Sequence, residues 1–304
     1  MKKLIRKIFN RFGYDIVKSA GYFTSKGNTR VTVRVGNFDI VMAGSNTLIW
    51  VYANLPDYNR ILGRINDAVL EAYPGMTAID IGANVGDTIA IIRSTAANPV
   101  IGIEGDNTSY ALLEENCRQF RDVYPVKCFV GDKPGEITAS VDQEGRNNTI
   151  VPDGKGSSRI QLTTVDILLS EQRFQSHNVK LIKYDIEGFD TIAMRGSLQT
   201  IRQHHPILFL EYNPKNMAAI GEDGLGTIFS LADEGYDKAM VYDHEGRLLL
   251  SSSLSHRDEL AALHTYSLQP GNLLGHYDIC LFHAADNGLA DRFLQKEKAR
   301  QVNN

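Results

Sequence analysis

The sequence predicts an α/β protein with a doubly wound, mostly parallel sheet. From residue 76 onward, short apolar segments alternate with segments of helical spacing, which is typical of βαβ units. The first apolar segment runs directly into a glycine-rich turn and a helix, at 77–97. Acidic residues follow several of the predicted strands at their carboxyl ends, where open parallel sheets bind ligands.

Residues 1–74 are predicted to form an N-terminal extension that packs on the main domain. Its first segment, 1–12, is basic and has helical spacing of its apolar residues, which are Leu4, Ile5, Ile8, Phe9 and Phe12. This amphipathic helix would either lie on an anionic membrane surface or dock on its own domain or a partner, and both alternatives stay open. A β-hairpin around a Gly-Asn turn is predicted at 30–42 and a helix at 58–73.

The main domain is predicted over 75–290, followed by a charged, frayed tail over 291–304. Apolar segments bounded by turn residues predict strands at 77–81, 100–103, 126–130, 181–186, 207–212, 238–242 and 277–283. Helical spacing predicts helices at 88–97, 109–121, 165–171, 193–202 and 225–234. Between them, 131–159 is rich in turn residues and predicts a loop or a small β excursion.

Composition excludes some classes of function. The net charge of −4 gives no basic face for nucleic acid, so no nucleic-acid partner is expected. The cysteines Cys117, Cys128 and Cys280 form no CxxC pair, which favours a reducing compartment. No apolar stretch is long enough for a transmembrane helix or a secretory signal. We expect a cytoplasmic protein, peripheral at the inner membrane surface if 1–12 binds lipid.

The turn after the first predicted strand is the strongest indication of a ligand site. Gly82, Asn84 and Gly86 follow the strand and open a helix, and such a turn lets a ligand approach the backbone. The spacing departs from the G-x-G-x-x-G that holds a dinucleotide pyrophosphate. Asp80, two residues before Gly82, would repel a phosphate but would suit an ammonium and a sulfonium. S-adenosylmethionine carries both, so we expect this cofactor at Asp80, Gly82, Asn84 and Gly86.

Two further acids are expected to contact the nucleoside. Glu104 ends the second strand, 22 residues after Gly82, where an acid accepts hydrogen bonds from ribose hydroxyls. Asp132 follows the third strand, where it would meet the adenine amino group, although Gly-Asp is also a common turn.

The reacting end is expected at the fourth and fifth strands, which are followed by Asp185, Glu187 and Glu211. Methyl transfer to a hydroxyl needs a general base, and Glu187 is the first candidate and Asp185 the second. Asp185 would alternatively hold the substrate or the methionine amine. No metal is favoured, although three carboxylates could also bind Mg²⁺ or Ca²⁺ through Asp185, Glu187 and Glu211.

The sequence resembles the FkbM family of methyltransferases over about residues 77–214. The resemblance depends on the motifs Ile79-Asp-Ile-Gly-Ala-Asn-Val-Gly86, Ile103-Glu104, Asn116, Val130-Gly-Asp132, Gly135, Thr164-Val-Asp166, Ile182-Lys-Tyr-Asp-Ile-Glu-Gly188, Gly196, Pro206 and Glu211. It implies a seven-stranded class I methyltransferase (Rossmann-like) sheet, S-adenosylmethionine as methyl donor and O-methylation of a hydroxyl on a macrolide, sugar or surface polysaccharide. The basic N-terminal segment is similar to that of members in bacterial glycan assembly, which favours a glycan acceptor.

Two positions depart from the family pattern. Gly105 stands where the family often has proline, and Asp190 stands where its acidic motif usually ends in glutamate. The second departure leaves the role of position 190 open.

Two other functions remain as alternatives. One is an NAD(P)-dependent oxidoreductase on a similar sheet. The absence of a G-x-G-x-x-G motif argues against it. The other is a non-catalytic binding protein on a methyltransferase fold. The presence of all the acidic residues of the candidate site argues against it. The sequence does not identify the acceptor molecule.

Overall fold

A computed structural model describes residues 29–142, 149–152 and 158–302. Its strands are β1 Arg30–Val35, β2 Phe38–Ala43, β3 Thr77–Ile81, β4 Val100–Glu104, β5 Val123–Lys127, β6 Phe129–Val130, β7 Gly135–Asp142, β8 Thr149–Pro152, β9 Ser158–Thr163, β10 Val179–Tyr184, β11 Ile207–Tyr212, β12 Tyr236–Tyr242, β13 Leu248–Ser253 and β14 Tyr277–His283. Its α-helices are α1 Leu48–Asn54, α2 Arg60–Ala72, α3 Asp87–Thr95, α4 Asn107–Cys117, α5 Val165–Leu169, α6 Asp190–Arg195, α7 Leu198–His204, α8 Pro214–Ala219, α9 Gly224–Ser230, α10 Arg257–Leu268 and α11 Asn287–Val302.

The main sheet has eight strands in the order β13-β12-β14-β11-β10-β3-β4-β5. Strands β5, β4, β3, β10 and β11 are parallel, whereas β14 runs antiparallel between β11 and β12. The predicted doubly wound, mostly parallel sheet is therefore confirmed. It has one strand more than the resemblance implies, because β13 returns from β12 through a tight turn and pairs antiparallel at the edge.

Apolar strand residues bury both faces of this sheet. Helices α2, α3, α4 and α11 share a buried core with one face. Helices α5 to α10 cover the other face, where the larger apolar cluster lies. Strands buried on both sides need such continuous apolar segments, which is what β3 shows with all five residues buried.

The hairpin β1–β2 forms a separate two-stranded sheet that packs against α3 and the β3–α3 loop. Asn116 on α4 fixes it in place: its side-chain amide donates to the carbonyl oxygens of Val41 and Val85 and accepts from the Val41 N–H, at 2.8–2.9 Å. The predicted β excursion within 131–159 is present as β7 and β8, which form a four-stranded sheet with β6 and β9.

Three element predictions need correction. The predicted helix at 193–202 is two helices, because Gly196 lies against the Gly131 carbonyl and a side chain there would collide with it. The predicted frayed tail is instead helix α11, docked through buried Phe293 and Glu297. The third predicted strand, 126–130, is divided between β5 and β6, which belong to different sheets.

Within the described residues, no helix is long and apolar enough to cross a membrane. The predicted amphipathic helix at 1–12 lies outside those residues, so its contact with a membrane stays a prediction, as do the domain boundaries.

Candidate functional site

The loop between β3 and α3 has left-handed backbone conformation at three positions. The φ angle is +78° at Gly82, +45° at Asn84 and +86° at Gly86, a region that glycine enters freely and other residues rarely. At Gly82 a side chain would also collide with the Asp185 carbonyl oxygen. The predicted glycine turn is therefore present, and its first glycine lets the loops after β3 and β10 touch.

Asp80 lies beneath this loop and has no solvent exposure. Its Oδ1 accepts a hydrogen bond from Lys183 Nζ at 2.8 Å, and its Oδ2 accepts one from the Thr88 hydroxyl. The sequence predicts that Asp80 meets the ammonium of a ligand, whereas in the structure it meets the ammonium of Lys183. Because a buried carboxylate needs such a partner, its charge is balanced within the protein, and any preference for a cationic ligand must come from other acids.

Lys183 is the site residue that sequence reasoning missed. It pairs in register with Asp80 on the neighbouring parallel strand, and its side chain is 4% exposed. Its ammonium lies 2.8 Å from Asp80 Oδ1, 3.2 Å from Asp185 Oδ2 and 3.3 Å from the Gly82 carbonyl oxygen. Burial alone would lower the pKa of Lys183, but the carboxylates of Asp185 and Asp80 outweigh it and raise the pKa above its ordinary value. Lys183 could have been identified from the sequence, because a lysine inside an apolar strand needs a buried acid as its partner.

Glu104 stands half-buried at the carboxyl end of β4, as predicted. Its Oε2 accepts the Asn84 N–H at 2.9 Å and its Oε1 the Asp106 N–H at 2.7 Å. Burial raises its pKa to about 7, although these backbone hydrogen bonds act in the opposite direction. Beside it, Gly105 lies against the ring of Phe129 with no room for a side chain, which accounts for the missing proline.

Asp190 holds the loop after β10. Its two carboxylate oxygens accept the N–H groups of Ile186 and Gly188, each at 2.9 Å. Burial raises its pKa to about 7 despite these bonds. The shorter aspartate at this position therefore acts on the conformation of the loop that carries Glu187.

The two candidate catalytic acids lie on this loop. Asp185 is 31% exposed and is oriented by Lys183. Glu187 is half-buried with φ of +56°, and its Oε2 accepts a hydrogen bond from the Asn216 side chain at 2.9 Å. Both carboxylates are thus held at the sheet edge where parallel sheets bind ligands.

A second group of acids lies further along the same edge. Glu211 and Asp278 are directly opposite each other on β11 and β14. Burial, and then repulsion from Asp185, raise the pKa of each carboxyl well above its ordinary value. The His276 ring lies 3.9 Å from Glu211 Oε2. A cavity of about 20 Å³, large enough for one water, is lined by Tyr58, Asn59, Lys183, Tyr184, Asp185, Phe209, Glu211, His244, His276 and Asp278.

The structure thus joins most of the predicted residues into one row along the sheet. Glu104 contacts the loop at Asn84, and Lys183 links Asp80, Gly82 and Asp185. Asp132, in contrast, is exposed after β6, and among the described residues no hydrogen bond or ion pair joins it to the others.

The metal alternative gains no support from this arrangement. In the part of the chain that the structure describes, no three His, Cys, Asp or Glu side chains come together as a metal site. Asp185, Glu187 and Glu211 are instead engaged with Lys183, Asn216 and His276 respectively.

Comparison with known proteins gives distant structural similarities. Methyltransferase FkbM from Methylobacillus flagellatus KT is 22% identical over 45% of this chain and 33% of that one, with a TM-score of 0.34, so the match spans about a third of that protein. Precorrin-6y C5,15-methyltransferase from Geobacter metallireducens GS-15 is 9% identical over 72% and 87% of the two chains, with a TM-score of 0.36. The plantazolicin methyltransferase BamL, solved with a triazolic desmethylPZN analog and SAH, is 7% identical over 78% and 89%, with a TM-score of 0.42.

No curated protein matches the sequence significantly. The family model described as the methyltransferase FkbM domain, however, matches residues 80–238, which is more than half of the chain and includes the β3 loop, Glu104, Asp185 and Glu187. The chain therefore belongs to the FkbM methyltransferase family.

Proposed function

We propose that this protein is an S-adenosylmethionine-dependent methyltransferase that methylates a hydroxyl group of a sugar, a surface glycan or a secondary metabolite. The observation that carries the proposal is Glu104 at the lip of the β3 loop. Each of its oxygens accepts one backbone N–H, from Asn84 or Asp106. The Gly105 N–H also acts on this carboxylate. Because an ionised carboxylate has about four acceptor positions, Glu104 keeps capacity for a ribose hydroxyl.

The residues around the loop fit this cofactor. Glu104 would hold the ribose, Asp185, whose side chain is 31% exposed, would accept the methionine ammonium, and Asp132 would meet the adenine amino group. When bound, S-adenosylmethionine supplies a methyl group activated by its sulfonium. The chain's own tasks are to orient the two reactants, exclude water and remove the proton of the acceptor.

Glu187 is the proposed general base. A neutral hydroxyl is a poor nucleophile, and a positioned base contributes about 10²–10⁴-fold. The hydrogen bond from Asn216 orients the Glu187 carboxylate on a loop that Asp190 holds. Glu211 is the competing base, because burial raises the pKa of its carboxyl and so makes its carboxylate a stronger proton acceptor than that of an exposed glutamate.

A ligand screen tests the proposal first. S-adenosylhomocysteine is expected to raise the melting temperature of the full chain, whereas NAD and NADP leave it unchanged. Glu104→Gln should weaken S-adenosylhomocysteine binding about tenfold, or ~1.4 kcal/mol, in calorimetry. A shift with NAD or NADP alone would favour the oxidoreductase, and a shift with none of the three would favour a non-catalytic protein.

Transfer of a tritiated methyl group to candidate glycans and hydroxylated natural products then tests the acceptor class. On an acceptor that works, Glu187→Gln should lower turnover about 100-fold while S-adenosylhomocysteine affinity is kept. Full turnover of Glu187→Gln, together with loss in Glu211→Gln, would instead assign the base to Glu211.

A further inference from the structure

Lys183 connects the three segments that build the candidate cofactor site. Its ammonium contacts the strand β3 at Asp80, the glycine loop at Gly82 and the β10 loop at Asp185, at 2.8–3.3 Å. Two of these contacts are hydrogen bonds, to Asp80 and to the Gly82 carbonyl oxygen, and the third is an ion pair with Asp185. The two loops also touch directly, since Gly82 has no room for a side chain beside the Asp185 carbonyl.

The charges of this group do not cancel. Lys183 contributes one positive charge, and Asp80 and Asp185 contribute two negative charges. Asp80 is fully enclosed, whereas the Asp185 side chain is 31% exposed. The remaining negative charge therefore faces outward at Asp185, where one ligand ammonium would balance it.

Stability alone does not explain such an arrangement. A buried ion pair is often no more stabilising than apolar side chains of similar volume, because desolvation offsets the attraction. The neighbouring strand positions Leu181 and Ile182 are filled by apolar residues that are fully buried. A lysine at 183 is therefore better explained by what it does to Asp185.

We propose that Lys183 is a positioning residue that holds Asp185 Oδ2, so that the carboxylate presents its other oxygen to the α-ammonium of the cofactor's methionine part. This inference rests on the proposed function. It predicts that Lys183 affects the amino-acid end of the cofactor and leaves the nucleoside end, at Glu104, unaffected.

Two ligands separate those ends. S-adenosylhomocysteine carries the amino-acid part, and methylthioadenosine lacks it while keeping the adenosine. Because Lys183→Met alone would leave Asp80 buried without a cation, the variant to use is Lys183→Met combined with Asp80→Asn, which removes both charges. Its affinity for S-adenosylhomocysteine is expected to fall about tenfold or more, and its affinity for methylthioadenosine to stay within about twofold of wild type.

A mutant cycle tests whether Lys183 acts through Asp185. Asp185→Asn alone should lose the same S-adenosylhomocysteine affinity, and adding it to the double variant should cause little further loss, since coupled residues are not additive. Lys180→Met is the matched control, because Lys180 lies on the same strand but donates to the His204 carbonyl at its other end. Its affinities for both ligands should equal those of wild type.

Equal losses of both ligands in the double variant, or fully additive losses with Asp185→Asn, would overturn this inference and leave the proposed function standing. A wild-type chain that binds neither ligand would overturn the proposed function and the inference together. Circular dichroism of each variant establishes that it is folded before its affinities are compared.

Discussion

At the residue scale, the loop after β3 depends on Gly82 having no side chain. Gly82→Ala would place a methyl group against the Asp185 carbonyl in addition to forcing alanine to φ of +78°. The left-handed conformation alone costs alanine about 1–2 kcal/mol, and the collision adds to it by separating the β3 and β10 loops. We expect a clear loss of unfolding free energy in urea and a loss of S-adenosylhomocysteine binding.

Gly75→Ala is a closely matched control. Gly75 has nearly the same φ, +77°, but no atom lies within 4 Å of the position that a Cβ would take. The unfolding free energy of this variant should fall by the conformational cost alone, and the variant should bind S-adenosylhomocysteine normally. If both variants lose the same stability and bind equally well, contact between the two loops does not matter.

The sequence predicted the position of the acids better than their roles. Glu104, Asp185 and Glu187 lie at or just after the predicted strand ends. Their positions could be predicted because an apolar segment followed by an acid indicates the carboxyl end of a parallel strand, where ligands bind. The role of Asp80 could not be predicted, because its partner Lys183 is more than a hundred residues away and only strand register brings them together.

At the element scale, a largely buried ion pair helps to fix helix α11 to the fold. Arg64 on α2 donates from Nε and Nη2 to the two oxygens of Glu297, each at 2.7 Å, and the Glu297 side chain is 5% exposed. Removing one partner of a buried pair leaves the other charge uncompensated, so Glu297→Gln should lower the unfolding free energy by about 3 kcal/mol. Urea denaturation measures this change.

The neighbouring pair on the same two helices is the control. Lys296 and Glu71 lie 3.3 Å apart but are 66% and 75% exposed, so Lys296→Met should change the unfolding free energy by less than about 1 kcal/mol. A similar small change in both variants would mean that Arg64 and Glu297 do not dock the helix.

The same helix explains why the tail was predicted to fray. Six of its sixteen residues are charged, and only a few apolar positions of its helical pattern, such as Leu289 and Phe293, are buried against the sheet. Strand β13 was missed for a related reason, since an edge strand contacts the core on one side only and its residues are at most half-buried. The secondary structure of peripheral segments depends on tertiary contacts, which cannot be predicted from the local spacing of apolar residues.

At the scale of the whole molecule, the sheet could be predicted because its central strands are buried on both faces and read as continuous apolar segments. The order of the strands could not be derived from periodicity: β14, the last strand of the chain, inserts between β11 and β12. That insertion brings Asp278 opposite Glu211, and it creates an acidic edge for which no single segment of sequence gives a signal.

Several carboxyl groups along this edge hold their protons more tightly in the folded state than in the unfolded chain. Burial raises the pKa of Glu104 and of Asp190 to about 7 and that of Asp87 to about 6. In the unfolded chain these groups titrate near pH 4. Between about pH 4.5 and 7 these carboxyl groups bind more protons in the folded state, so their contribution to the unfolding free energy falls as pH rises. Glu222, whose pKa Arg195 lowers, acts in the opposite direction, but only as pH falls below the ordinary glutamate range. Burial lowers the pKa of four histidines, His177, His204, His264 and His283, whose contribution rises with pH near the ordinary histidine range.

We expect urea unfolding at pH 5, 6 and 7 to show that the contribution of Glu104 to the unfolding free energy decreases steadily as pH rises, measured as the difference between wild type and Glu104→Gln. Each of these groups contributes at most about 1.4 kcal/mol per pH unit, so Glu104→Gln should make the slope of the unfolding free energy against pH more positive by up to that amount. Glu114→Gln is the control, because it removes one formal charge from the exposed face of α4. It should leave the slope of the unfolding free energy against pH unchanged. Equal slopes for wild type and Glu104→Gln would show that Glu104 is solvated, and it would then lack the enclosure that a ribose site needs.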